Sequence, residues 1–317
     1  MSKPCSFWRP ASFCLLLASS LAAAQQNFDD VAIEVLQVRE NLYMLVGSGG
    51  NITVQTGSDG VLVVDTQYAP LSDSILAKVR ELSDEPLRYI LNTHHHPDHT
   101  GGNANLRAAG RTGVGNNVNG ATIIAHQNAL QRMVTPPDGA AVPVEGLPTL
   151  TWSTPHRDLW FNGEGVRMIH QPAAHTDGDS IVYFRRSDVI ATGDVYGTTM
   201  YPLIELASGG SIQGVIAAAN NLIDLIIPEY GQDGGTLVIP GHGRLSDVGD
   251  VINWRDMLTI IRDRIQFMID RGMTLEEVLA ARPTQDYDAR WGRDSGVWTT
   301  TRFVEAVYLN LKDAGEG

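Results

Sequence analysis

Apolar positions along the chain follow two periods. Between residues 31 and 64 they come in short runs broken by turns. Val31-Ala32-Ile33-Glu34-Val35-Leu36, Leu42-Tyr43-Met44-Leu45-Val46 and Ile52-Thr53-Val54-Gln55 read as strands. Val61-Leu62-Val63-Val64 is continuously apolar, as a buried central strand is. The period changes at 72–82, where Ile75, Leu76, Val79 and Leu82 follow helical spacing after Pro70. Residues 88–92 return to strand, and 166–169, 181–184 and 189–192 predict further strands. The last two read as a hairpin turning at Arg186-Ser187-Asp188. Residues 211–226 predict a helix, and 237–239 a short buried strand. Residues 250–270 predict a strongly amphipathic helix, with Trp254, Met257, Leu258, Ile261, Ile265 and Met268 on one face. Thr274-Leu275-Glu276-Glu277 is a capping box that opens another helix, and 303–311 predict the last. The Gly-, Pro- and Asn-rich stretches 110–120 and 135–148 read as surface loops around His126. Strands and helices mix throughout, with no repeat and no linker, which predicts one α/β domain.

Composition changes this picture at two points. Twenty-three Lys and Arg stand against 36 Asp and Glu, a formal net charge of −13 over 317 residues. That balance argues against nucleic acid as a partner, which basic patches recruit. The N-terminus reads as an export signal. Lys3 and Arg9 precede the apolar run Phe13-Cys14-Leu15-Leu16-Leu17-Ala18, and Ala22-Ala23-Ala24 is a small-residue cleavage site. The expected cut precedes Gln25, leaving 25–317 as the mature domain, periplasmic or secreted. The apolar run is too short for an ordinary membrane span, and no span is expected in the mature chain. Ala11-Ser12-Phe13-Cys14 lacks the Leu-x-x-Cys form of a lipoprotein signal. Both cysteines, Cys5 and Cys14, fall inside the signal. The mature chain therefore has no disulfide and no thiolate nucleophile or ligand.

The candidate chemistry lies in the histidines. Four of the nine fall in Thr93-His94-His95-His96-Pro97-Asp98-His99. On an extended chain His94 and His96 point one way and His95 the other. A His-rich surface tract would be flanked by polar sequence, whereas here the apolar Tyr89-Ile90-Leu91 runs straight into it. Neutral imidazole and carboxylate are common zinc ligands. His175, Asp194 in Thr192-Gly193-Asp194, and His242 in Pro240-Gly241-His242-Gly243 each follow a short predicted strand. Strand ends are where a sheet gathers groups from distant sequence. Gly47-Ser48-Gly49-Gly50 lacks the Gly-Lys-Ser/Thr that completes a phosphate loop. Ser208-Gly209-Gly210-Ser211 reads as the cap of the 211–226 helix. Tyr196, Tyr201 and Ile204, just after Asp194, are candidate substrate contacts.

His-x-His-x-Asp-His, a distant His, Gly-Asp and Pro-Gly-His-Gly, in that order, resemble the metallo-β-lactamase-fold hydrolases. Val63-Val64-Asp65-Thr66 also resembles that family's early strand ending in Asp. The resemblance spans nearly all of the mature chain. It implies a four-layer αβ/βα sandwich with metals at one edge of two sheets. It implies two zinc ions, although imidazole and carboxylate also accept iron or manganese. His94, His96 and His175 would hold the first ion, and Asp98, His99 and His242 the second. Asp194 would bridge them, and the resemblance gives Asp98 and Asp194 catalytic roles. His95 would pack nearby without ligating, and Asp65 would orient the loop. His126, His156 and His170 match no ligand position. A hydroxide shared by the ions would attack the carbonyl of a small-molecule substrate. Asp194 stands where one β-lactamase branch carries Cys, so the ligand set is closer to glyoxalase II, lactonases and general hydrolases. Export favours a β-lactamase, as a main or a side activity. The expected function is an exported dizinc hydrolase of a cyclic amide or ester. A lactonase or another ester or thioester hydrolase is the alternative. An iron-dependent sulfur dioxygenase-like oxidoreductase and a catalytically vestigial metal-binding protein are alternatives of other classes.

Overall fold

A computed structural model describes residues 27–112, 120–136, 141–226 and 234–315. The expected signal, 1–24, lies outside the described residues, as do parts of the two predicted loops. Val31–Gly317 forms one compact unit. Its first strands, β1 (Glu34–Arg39), β2 (Leu42–Val46), β3 (Ile52–Gln55) and β4 (Val61–Val64), each run antiparallel to the next. Helix α1 (Ser72–Leu82) leads to β5 (Leu87–Leu91), parallel to β4. After α2 (Pro97–Thr100) and α3 (Asn103–Ala109), β6 (Thr122–His126) joins parallel to β5. After α4 (Gln127–Val134), β7 (Leu150–Trp152) joins parallel to β6 and closes a seven-stranded sheet in sequence order.

The second sheet starts as a meander of β8 (His156–Phe161), β9 (Glu164–His170), β10 (Ser180–Phe184) and β11 (Val189–Ala191). Helix α5 (Ile212–Leu225) then precedes β12 (Leu237–Ile239), which pairs parallel with β11. The chain ends in α6 (Val248–Asp270), α7 (Leu275–Ala281), α8 (Asp288–Trp291) and α9 (Thr300–Gly315). No helix among the described residues is long and apolar enough to cross a membrane.

Side-chain alternation builds the layers. Leu62, Val64 and Leu91 of the first sheet meet Val166, Met168, Val182, Phe184, Val189 and Ile239 of the second in one core cluster. Their neighbours point outward. Ile181, Tyr183, Ile190 and Val238 pack instead with α5, α6 and α9. Across the first sheet, Val61, Val63, Ile90 and Ile123 are fully buried on the face that α3 contacts, with α1 beside α3. The result is the four-layer αβ/βα sandwich that the resemblance implied.

Several boundaries differ from the expected ones. The strand expected at 31–36 runs from Glu34 to Arg39, because the two-residue turn at Glu40-Asn41 fixes its register against β2. Between the two predicted loops, Thr122–His126 is a buried strand and Gln127–Val134 a helix. β8 was not legible. It is an edge strand with Trp160 74% exposed and Asp158 paired to Arg167, so no apolar period marks it. The hairpin at 181–192, the cap of α5 by Ser211 and the Thr274/Glu277 capping box are as expected.

Candidate metal centre

The residues that follow the C-terminal ends of β4, β5, β11 and β12 meet at one rim. Asp65 directly follows β4 and adopts φ 65°, a left-handed conformation that Asp tolerates. From there its carboxylate accepts from Thr93 N at 2.8 Å and Thr93 Oγ1 at 2.7 Å, and lies 2.7 Å from His99 Nδ1. One buried carboxylate thus pins both ends of the His94–His99 segment. Gly50 explains the glycine tract. Its N–H donates to Asp98 O at 3.0 Å, and a Cβ there would overlap the His99 ring. Asn51 ties the two sheets together. Its backbone N–H donates to Gly241 O at 2.7 Å, and its amide to Pro240 O and Gly243 O at 2.9 and 3.0 Å.

Seven side chains converge in two overlapping groups. His96 Nδ1 lies 3.1 Å from His94 Nε2 and 3.0 Å from His175 Nε2. Asp194 Oδ2 is 4.0 Å from His94 Nε2 and 3.9 Å from His175 Nε2. On the other side, His242 Nε2 lies 3.1 Å from Asp98 Oδ2 and 3.4 Å from His99 Nε2. Asp194 Oδ1 faces these two imidazoles, at 3.1 Å from His99 and 3.4 Å from His242. The two oxygens of Asp194 therefore address different trios.

The far nitrogens decide what the near ones offer. His175 Nδ1 donates to Leu203 O at 2.8 Å, and His99 Nδ1 to the Asp65 carboxylate. Thr93 gives its hydroxyl proton to Asp65, so it accepts from His94 Nδ1 at 3.0 Å. His96 Nε2 donates to Glu205 Oε2 at 3.2 Å. In its neutral form each of these four rings turns a lone pair inward. Burial pushes His94 well below its ordinary value and His175 down to about 4, so both stay neutral. Burial opposes a charge on His99 too, but Asp194, Asp98 and Asp65 hold it well above the usual imidazole range. Burial likewise opposes the charge on Asp194, and His99 and His242 outweigh it, holding the carboxyl well below the usual range.

Asp194 Oδ1 is buried and faces the imidazole nitrogens of His99 and His242, with no well-aligned hydrogen bond among the described residues. A buried carboxylate oxygen without an aligned donor is costly inside a protein and suits a cation. Three imidazoles with one carboxylate oxygen, beside two imidazoles with two carboxylate oxygens, could each hold a divalent ion. The donor set fits two such ions.

His94, His99 and His175 are at most 1% exposed, whereas His96, Asp98, Asp194 and His242 are 18–32% exposed. The latter four line a cavity of about 540 Å³. Tyr68, Met200, Leu203, Arg293 and Trp298 line it with them. Of the three candidate substrate contacts, only Tyr201 is on this wall. Its hydroxyl turns away to Thr284 O and Asp288, and its ring stacks on Phe303. Tyr196 and Ile204 are 1–2% exposed in the helix-side core, Tyr196 bonding Ser246 and meeting Trp254 edge-on. Aromatic and branched side chains after a buried strand are drawn into the core. His95 lies beside the centre, its Nε2 3.9 Å from Glu205. His126 and His170 stack on each other at 3.6 Å, and His156 is exposed at the start of β8. Sequence reasoning missed Glu205, Asn51, Tyr68 and the 293–298 wall. None has a spacing signal, although Asn51 directly follows the glycine tract.

A family model described as the metallo-β-lactamase superfamily matches residues 45–242. The metallo-β-lactamase type 2 of Bacillus cereus is 23% identical over 239 residues, covering 71% of this chain and 82% of that one. Among solved structures, a stereoselective inverting sec-alkylsulfatase from Pseudomonas sp. superposes with a TM-score of 0.62 at 18% identity. It covers 87% of this chain and 50% of its own, so the chain spans about half that enzyme's length. A metallo-β-lactamase from Pontibacter korlensis gives 0.57 at 15% identity, covering 72% of this chain and 99% of its own. With its two-sheet sandwich and its donor-lined rim, the chain belongs to the metallo-β-lactamase superfamily.

Proposed function

We propose that the chain is an exported hydrolase with two divalent ions, zinc first among them, that opens a cyclic amide or ester. The observation that carries this reading is Asp194, whose two oxygens face different trios of donors in the wall of the cavity. Bound there, the ions would supply a water nucleophile at neutral pH and a Lewis-acid hold on the scissile carbonyl. His94, His96 and His175 would hold one ion, Asp98, His99 and His242 the other. Asp98 presents its carboxylate to the cavity and can hold the proton of the incoming water. Asp65 and Glu205 keep the rings aimed. With no cysteine after residue 24, the chain offers no thiolate nucleophile.

The substrate is a β-lactam or a lactone, with other esters and thioesters behind them. The test is kcat/KM of the zinc-loaded mature protein on a chromogenic cephalosporin, a simple lactone and an alkyl sulfate at equal zinc. One of the first two is turned over in the range of about 10⁴–10⁸ M⁻¹s⁻¹. Asp98→Ala lowers turnover and metal content together. Full activity in that variant sinks the reading. Export is checked by the mass of the secreted protein, which begins at Gln25.

A further inference from the structure

Part of the cavity wall comes from outside the stretch matched by the family model. Residues 292–299 link α8 to α9, well beyond residue 242. Arg293, Val297 and Trp298 of this link line the cavity together with Met200 and Leu203. Arg293 is the single Lys or Arg in that lining, in a chain of net charge −13. One of its five N–H donors is used to reach Thr199 O at 3.2 Å. No carboxylate among the described residues pairs with it. Met200, Leu203, Val297 and Trp298 bring apolar side chains to the same wall. Val297 is 81% exposed, and Trp298 buries its indole N–H with no partner among the described residues. A guanidinium with N–H donors to spare beside apolar side chains matches an anion carried on an apolar body. The volume, about 540 Å³, suits a small molecule.

The geometry points to a substrate class: molecules with one carboxylate or sulfate on an apolar body, the anion taken by Arg293 and the body by Met200, Leu203, Val297 and Trp298. This rests on the hydrolase reading above. Arg293 acts here on recognition and not on the scissile bond.

The test is calorimetric binding to the metal-loaded protein, with octanoate, octyl sulfate, 1-octanol and inorganic sulfate as probes below micelle formation. Both amphipathic anions bind at least about tenfold more tightly than the alcohol or the bare sulfate. Which of the two anions binds tighter separates a carboxylate-bearing from a sulfate-bearing substrate. Arg293→Met removes that preference, Arg293→Lys restores part of it, and Trp298→Leu weakens anion and alcohol alike. Metal content and Tm establish that each variant is folded. If Arg293→Met binds the anions as wild type does, they sit on the metal centre and the proposal is overturned. The same holds if the wild-type protein shows no preference for the anion. These readouts need no turnover, so failure of the hydrolase reading, seen as no hydrolysis of any panel substrate by wild type, is distinguishable from failure of this one.

Discussion

At the scale of single residues, the site is a set of lone pairs aimed by their far-side partners. The seven converging donors were legible in the chain because each follows a strand end and four of them share one six-residue segment. Their orienting groups were legible only in part. Asp65 ends a recognisable apolar strand. Glu205, 3.2 Å from His96 Nε2, lies in irregular chain with no period to expose it. One histidine outside the centre gives a clean pH prediction. His126 is 4% exposed, and its Nδ1 accepts Asn128 N–H at 3.3 Å to cap α4. Burial, then the charge of the stacked His170, pushes it down to about 4, against about 6.5 in an unfolded chain. Protonation is therefore harder in the folded state. Its stabilising contribution is complete above about pH 6.5 and is lost as the pH falls from there towards 4. His126→Asn caps without titrating. The fall in Tm between pH 7 and 4.5 becomes shallower in that variant, and equal slopes in the two proteins would contradict the assignment.

At the scale of elements, legibility followed a clear apolar period with a turn or cap to bound it. Helices with one apolar face and a cap, such as α5 behind Ser211, could be read from period and cap alone. β8 could not, because its exposed residues answer to an ion pair and to solvent rather than to a core. β6 was hidden between glycine-rich loops, although four of its five residues are buried. The tract at 47–50 shows how an element boundary serves the site. Its glycines admit the His99 ring and the Asp98 carbonyl against the backbone. Gly50→Ala displaces His99, and with it the ion that Asp98, His99 and His242 would hold. A competition titration with a chromophoric chelator resolves the two binding steps. The weaker-held ion of the variant loses about 10–100-fold in affinity, while the step at His94, His96 and His175 changes less. Two unchanged steps would refute this role for the glycine.

At the scale of the whole molecule, the centre exists only because two sheets share a rim. The first supplies Asp65, His94, His96, Asp98 and His99, and the second supplies His175, Asp194 and His242. Motif order made the sandwich legible. The tie between the sheets was not, since nothing in the sequence links Asn51 to residues 240–243. Asn51→Ala leaves the carbonyls of Pro240 and Gly243 without this donor. Two net hydrogen bonds correspond to about 1–3 kcal/mol of stability. Denaturant unfolding reads this as a lower midpoint, and a wild-type midpoint would show that the sheets need no such tie. The account as a whole stands on one shared carboxylate. Its most direct test is the number of metal ions per chain, measured by elemental analysis after equilibrium dialysis, for wild type and Asp194→Ala side by side. The account predicts two ions per chain in wild type and fewer than one in the variant, both remaining folded. Two ions in the variant, or none in the wild type, would contradict it.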